Sequence, residues 1–239
     1  AAARGRRRRP AEGPEPSEGA GFDSVREAYE FYAQREGKKK LGISAFYAEQ
    51  GEEYRNPHDD RLAPLLVDAL SEWERRGLLS AGEGQGGPAL RRVLDMACGS
   101  GEASLALEAW AAGRPGVAEE LEAADPYTFE AYERRTGRRA HRWSFEDVAT
   151  GCVLEGRPTY DAVLCSYCLH IPVRSWLFNT LSALARASRR LVVATPDSRP
   201  VVKPETGWEH LHEVTTPLPP RDGRSRRIAA RLYRSVHNG

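Results

Sequence analysis

Apolar residues recur along this chain with two different periods. Leu62, Leu65, Leu66, Ala69, Leu70 and Trp73 are spaced three and four apart, which predicts one buried face of a helix over Leu62 to Arg76. Upstream, Val25, Ala28, Tyr29, Phe31 and Tyr32 predict an earlier helix over Phe22 to Gly37, with Asp23 or Ser24 as its cap, and a short element follows over Ile43 to Gln50. Beyond the Gly-rich stretch Ser80 to Pro88 the pattern shortens. Apolar runs at Val93–Ala97, Leu121–Ala124, Ala140–Val148, Tyr160–Ile171 and Arg190–Pro196 read as strands, and helical spacing follows the first run and covers Ser175 to Ala187. Strands alternating with helices predict an α/β, Rossmann-like doubly wound, mostly parallel sheet. Glu209 to Thr216 and Arg227 to Val236 read as two further strands around a Pro-Pro-Arg-Asp-Gly turn, giving the sheet an antiparallel end and seven strands in all.

The first strand ends in Asp95 and runs through Ala97 and Cys98 into Gly99-Ser100-Gly101, after which a helix begins. Glycine there lets backbone approach a ligand, and the free N–H groups of the new helix end face it. No Lys-Ser/Thr pair follows, which excludes a P-loop, and the third glycine of the dinucleotide fingerprint is missing. Asp125 closes the second strand, where a carboxylate can accept hydrogen bonds from a ribose diol. Four such segments in this order resemble the class I S-adenosylmethionine-dependent methyltransferases over roughly Tyr47 to Pro196, and are similar to a branch carrying the segment Tyr54-Arg55-Asn56-Pro57-His58.

The resemblance implies S-adenosylmethionine as cofactor and S-adenosylhomocysteine as product. It places Asp95, Ala97, Cys98, Gly99, Gly101, Asp125, Pro126, Tyr127 and Cys165 around the cofactor, with Ala97 where the family has glycine. The family's adenine-binding Asp falls on Ser144, so Glu146 or Asp147 takes that contact instead, with Phe145 on the ring face. It also implies that the helical segment before the sheet is a lid. The expected organisation is a basic, Pro/Gly-rich tail at 1–21, a helical lid at 22–88 and the methyltransferase core at 89–239.

Composition narrows this little. Thirty-five Lys and Arg against 34 Asp and Glu leave a net charge of +1, so overall charge does not call for nucleic acid. The charge is uneven: Arg6 to Arg9, Lys38 to Lys40 and Arg221 to Arg234 are basic stretches. The Arg-rich start reads as a disordered tail or a transit remnant, which leaves cytoplasm or an organelle matrix as the compartment. Four cysteines without framework spacing suggest a reducing compartment, and no apolar run approaches a membrane span.

Methyl transfer from a sulfonium is an in-line displacement in which the protein mainly aligns and desolvates the acceptor. His170, just past the fourth strand, is the candidate general base; the alternative is a histidine packed beneath the cofactor or holding a loop. Tyr47, Tyr54, Arg55 and His58 lie just before a helix. The first three are expected to close over the cofactor, with Tyr47, His58, Tyr167 and His170 on the acceptor side; the alternative is an ordered loop packed on the sheet edge. Cys165 and Cys168 read as buried thiols rather than metal ligands, and no metal is expected. Strict alternation would put His210 and His212 on one face of a strand. A small-molecule acceptor is favoured. RNA or protein methylation, and a non-catalytic interaction module, are the alternatives.

Overall fold

Because Asn56 stops the preceding chain, the first described helix starts earlier than its apolar face alone predicts. The Asn56 side-chain oxygen accepts the His58 amide at 2.9 Å and its carbonyl accepts the Asp59 amide at 3.1 Å, an Asx turn that launches α1 (Asp59–Arg75). The computed structural model describes residues 47, 51–56, 58–79, 90–171, 174–196, 202–221 and 224–238. The expected tail, the helix over Phe22 to Gly37, most of Ile43 to Gln50 and the loop Ser80 to Pro88 lie outside the described residues.

After α1 the order is β1 (Arg92–Met96), α2 (Glu102–Ala111), β2 (Glu120–Ala124), α3 (Phe129–Thr136), α4 (Phe145–Thr150), β3 (Tyr160–Ser166), α5 (Arg174–Ala187), β4 (Ser188–Pro196), β5 (Trp208–Arg221) and β6 (Arg224–Ser235). These strands form one sheet in the order β2-β1-β3-β4-β6-β5. The β2, β1, β3 and β4 pairings are parallel, whereas β6 runs antiparallel to both β4 and β5. Period-two alternation then sorts the core. Val93, Ala162, Leu164 and Val192 face α1 and α2, while Leu94, Met96, Val163, Leu191 and Val193 face α4 and α5. Helices on both faces make a three-layer α/β/α fold.

Two expectations fail for local reasons. The run Ala140 to Val148 does not form a strand: it contributes one parallel bridge, His141 to Ala124, so the sheet has six strands rather than seven. Three residues later the Ser144 side chain accepts the Asp147 amide while the Asp147 side chain accepts the Ser144 amide. That capping box starts α4 before a second rung can form. The two histidines of β5 do not share a face either. His210 pairs with Tyr233 and His212 with the adjacent Leu232, because a bulge inserts one residue between them. His210 packs edge-on against Tyr233 at 5.2 Å, and His212 accepts the Trp73 indole N–H at 3.3 Å on the other face.

What replaces the missing rungs is a charged hub. The Glu122 carboxylate receives His141 at 3.0 Å, Arg157 at 2.8 Å, the Tyr160 hydroxyl at 3.1 Å and Arg92. Burial works against its charge, but the hydrogen bond from His141 and the charge of Arg92 prevail and hold Glu122 below the usual carboxylate range. A carboxyl group depressed in this way stabilises the fold above its unfolded pKa, and that contribution is lost as pH falls through the folded value. Glu122→Gln should therefore cost about 2 kcal/mol in urea denaturation at pH 7. The gap from wild type should narrow as the acid is titrated below pH ~4.5; a gap constant with pH would reject the charged hub.

Candidate active site

The crevice lies at the carboxyl ends of β1, β2 and β3, where the strand order reverses direction on either side of β1. Asp95 shares the Val93 face of β1 and is fully buried. One oxygen, Oδ2, accepts both the Ser104 amide at 3.0 Å and the Ser104 hydroxyl at 2.7 Å. The other, Oδ1, is buried and has no hydrogen-bond partner among the described residues. Burial pushes the Asp95 carboxyl up to about 7.

The turn itself carries strain where the resembling family has glycine. Ala97 stands at φ +54°, a left-handed conformation that costs an L-residue about 1 kcal/mol. Gly99 (φ +59°) and Gly101 (φ +91°) need glycine for different reasons. A Cβ on Gly99 would meet the Tyr54 ring and Glu102 Oε2 at 3.0 Å, so Tyr54 lies directly over the turn. A Cβ on Gly101 would meet Thr136 Cγ2 at 2.6 Å, so the open side of this expected cofactor residue faces α3. Cys98 is buried beside it, and burial raises its thiol well above the ordinary range.

Asp125, at the end of β2, is largely buried and preorganised. Its Oδ1 accepts the amides of Tyr127 at 2.8 Å and Thr128 at 2.9 Å. Burial nonetheless raises its pKa against those bonds. Pro126 is half-buried, and Tyr127 is exposed and stacked on Tyr47 with ring centroids 6.3 Å apart. Tyr47 in turn meets Tyr54 edge-on at 5.4 Å. On the β3 side, Tyr167 adopts φ +53° at the strand tip and stacks with His58 at 5.2 Å. His170 is exposed on the turn beyond. The structure thus groups Tyr47, Tyr54 and Tyr127, and separately His58 with Tyr167.

The expected adenine segment is arranged differently. Phe145 is buried in the core against α5 rather than presenting its ring, and Asp147 Oδ2 is committed to the Ser144 amide at 2.8 Å. Glu146 and Asp147 are both exposed, and Asp147 alone of the two is held in the capping box. Cys165 and Cys168 are buried together beneath the crevice, with the Cys168 thiol raised by its hydrogen bond to Cys165 and by burial. All four cysteines are free thiols. Among the described residues no cluster of three His, Cys, Asp or Glu side chains could hold a metal, and no helix is long and apolar enough to cross a membrane.

Two site residues escaped the sequence. Glu102, directly after the turn, is 2% exposed. It accepts the Ser100 amide at 3.1 Å, the Ser100 hydroxyl at 2.5 Å and the Asn56 amide at 3.0 Å, with Arg135 at 3.3 Å. Arg135 also reaches Asp59 at 2.5 Å and lines an open cleft of about 440 Å³ with Tyr54, Arg55 and Arg134. In sequence, an acidic residue in a first helical turn signals only favourable interaction with the helix dipole. Its contact with Asn56 spans 46 residues and leaves no local signature.

This topology and turn define a three-layer α/β domain with its crevice at the carboxyl ends of the parallel strands. The chain is 31% identical over 195 residues to the uncharacterized protein C17A5.05c of Schizosaccharomyces pombe, covering 70% of this chain and 76% of that one, and it belongs to the same family. No family model matches it. Solved structures similar to it include magnesium protoporphyrin IX methyltransferase (ChlM) from Synechocystis PCC 6803 with bound SAM, at 17% identity and a TM-score of 0.48, covering 92% of this chain and 100% of that one. An S-adenosylmethionine-dependent methyltransferase from Clostridium acetobutylicum is 12% identical, with a TM-score of 0.48, covering 72% and 92%.

Glu102→Ala should release the segment around Asn56 from the glycine turn and lower stability by about 3 kcal/mol, because it orphans buried donors. Hydrogen exchange should quicken selectively over residues 51–58; uniform protection there would show that Glu102 does not hold the segment.

Proposed function

We propose that this chain is an S-adenosylmethionine-dependent methyltransferase acting by in-line transfer to a small acceptor group. The observation that carries this reading is the pair of buried carboxylates flanking the turn. Asp125 has one oxygen fixed by two backbone amides, which leaves its second oxygen to accept from a ribose diol. Asp95 holds Oδ1 buried without a donor, and an amino-acid ammonium would supply one. Bound there, the cofactor supplies a methyl group on a sulfonium already activated for displacement. Tyr47, Tyr54 and Tyr127 cover that position from the side before the sheet and exclude water from it. His58 and Tyr167 offer a flat surface on which the acceptor group is aligned, and His170 takes a proton from the acceptor where one must leave. Intact Asp95, Gly99 and Asp125 favour this reading over a non-catalytic module.

Calorimetric titration of S-adenosylhomocysteine into the purified chain should show binding that Asp125→Ala weakens about a hundredfold without unfolding the protein. A folded wild-type chain that binds neither S-adenosylhomocysteine nor S-adenosylmethionine would overturn the proposal in favour of an interaction module.

Affinity should also depend on pH. With its carboxyl at about 7, Asp95 gains its charge between pH 6 and 8, so an ammonium-bearing ligand should bind more tightly as pH rises through that window. Asp95→Asn keeps an oxygen for Ser104 and should flatten the profile; an unchanged profile would place the ammonium elsewhere.

A further inference from the structure

We infer that Tyr132 is a positioning residue for Asp95: acting through Ser104, it fixes which oxygen of that carboxylate meets a ligand. The inference rests on the methyltransferase reading for the identity of the ligand, but the titration that tests it is also read without one.

The three groups are buried together. Tyr132 comes from α3, Ser104 from α2 and Asp95 from β1, and each is 0% exposed. The Tyr132 oxygen lies 3.3 Å from the Ser104 hydroxyl, which lies 2.7 Å from Asp95 Oδ2. Packing holds the phenol in place. Its ring is buried against Cys98 and Ala123, and a Cβ on Gly101 would press on it at 3.2 Å. The second glycine of the turn thus makes room for Tyr132.

Counting protons gives the chain a direction. A serine hydroxyl has one proton to donate. Ionised Asp95 can only accept, so that proton goes to Oδ2, and the Ser104 oxygen is left to accept from Tyr132. Tyr132 has a proton to give, because burial pushes its phenol up to about 12. Donation into the serine oxygen polarises the serine O–H and strengthens its bond to the carboxylate. The Ser104 amide donates to the same oxygen at 3.0 Å. A proton arriving at Oδ2 would have to reverse the chain. One arriving at Oδ1, which is buried without a hydrogen-bond partner among the described residues, leaves the chain as it is. Oδ1 is therefore the atom for which a proton and a ligand ammonium compete.

The other groups around Asp95 do not do this work. The carboxylates of Glu102, at the head of α2, and Asp125, at the end of β2, add to the effect of burial and raise the Asp95 pKa. The Cys98 thiol in the turn, raised by burial, and the Cys168 thiol beyond β3, raised by its hydrogen bond to Cys165, are neutral neighbours. Ser104 supplies the hydrogen bonds that pull the Asp95 pKa down, and Tyr132 stands behind its hydroxyl.

The test is a pH series on the wild type, Tyr132→Phe, Ser104→Ala and the double variant. In the free chain, NMR of isotope-labelled aspartate follows the Asp95 carboxyl directly. Tyr132→Phe should raise its midpoint by about 0.5 to 1 pH unit, and Ser104→Ala by about 1 to 2. Adding Tyr132→Phe to Ser104→Ala should move it no further, because the phenol acts through the serine. Calorimetry with S-adenosylhomocysteine should follow the same midpoints: Tyr132→Phe should bind about threefold more weakly at pH 7 and nearly as tightly as wild type at pH ~8.5. Ser104→Ala keeps the backbone amide on Oδ2 and gives a second reading should the phenylalanine variant misfold. A loss of affinity equal at every pH would mark a packing role for Tyr132 and overturn the inference. So would an unmoved NMR midpoint in either single variant, or a full further shift in the double variant. If the folded wild type binds no S-adenosylhomocysteine, the methyltransferase reading falls, and the NMR midpoints still decide whether Tyr132 acts on Asp95.

Discussion

A carboxylate cut off from water must find its donors in the protein, and at the head of α2 Glu102 finds them on both sides of the candidate site. It binds the Ser100 amide and hydroxyl within the glycine turn, and the Asn56 amide in the segment before the sheet. The turn and the entering chain are therefore one unit. Asn56 also starts α1, which packs across α2, so its register is fixed from the same point. Tyr54 lies over Gly99 because its neighbour Asn56 is anchored, and the Tyr47 ring bridges Tyr54 to Tyr127. Arg135 closes the arrangement from α3 by reaching Glu102 and Asp59 together.

The buried strands were legible because a strand covered on both faces is a short apolar run, and few other structures accommodate one. Four parallel strands and both hairpin strands fall where such runs predict them, and the aspartates at the ends of β1 and β2 sit at the crevice. What could not be read depends on particular side chains competing with the period. Ala140 to Val148 has the composition of a strand, but Ser144 and Asp147 cap each other and the helix begins first. His210 and His212 alternate on paper, and a single bulge separates them. Glu102 was invisible because its meaning lies 46 residues away. The family resemblance put Phe145 on the face of a bound ring; as the first residue of α4 it packs into the core.

The turn after β1 shows how far a sequence can leave a pattern and keep its geometry. Ala97 holds the left-handed conformation that glycine adopts without cost, and the surrounding rungs of β1 with β2 and β3 keep it there. Gly101 has no such latitude, because Thr136 and Tyr132 occupy the space a side chain would need. Substitution is tolerated where conformation alone is strained and excluded where volume is also missing.

The single rung at His141 bears on how the molecule keeps to itself. With one bridge instead of a full strand, the outer flank of β2 carries backbone groups that a strand from another molecule could extend. Glu120 and Glu122 lie along that flank with Arg92, Arg157 and His141 gathered on them. A foreign strand docking there would have to strip water from this knot of charge and break its pairs before gaining any ladder bonds. The short sheet margin is thus guarded against self-association by the residues that took the place of its seventh strand.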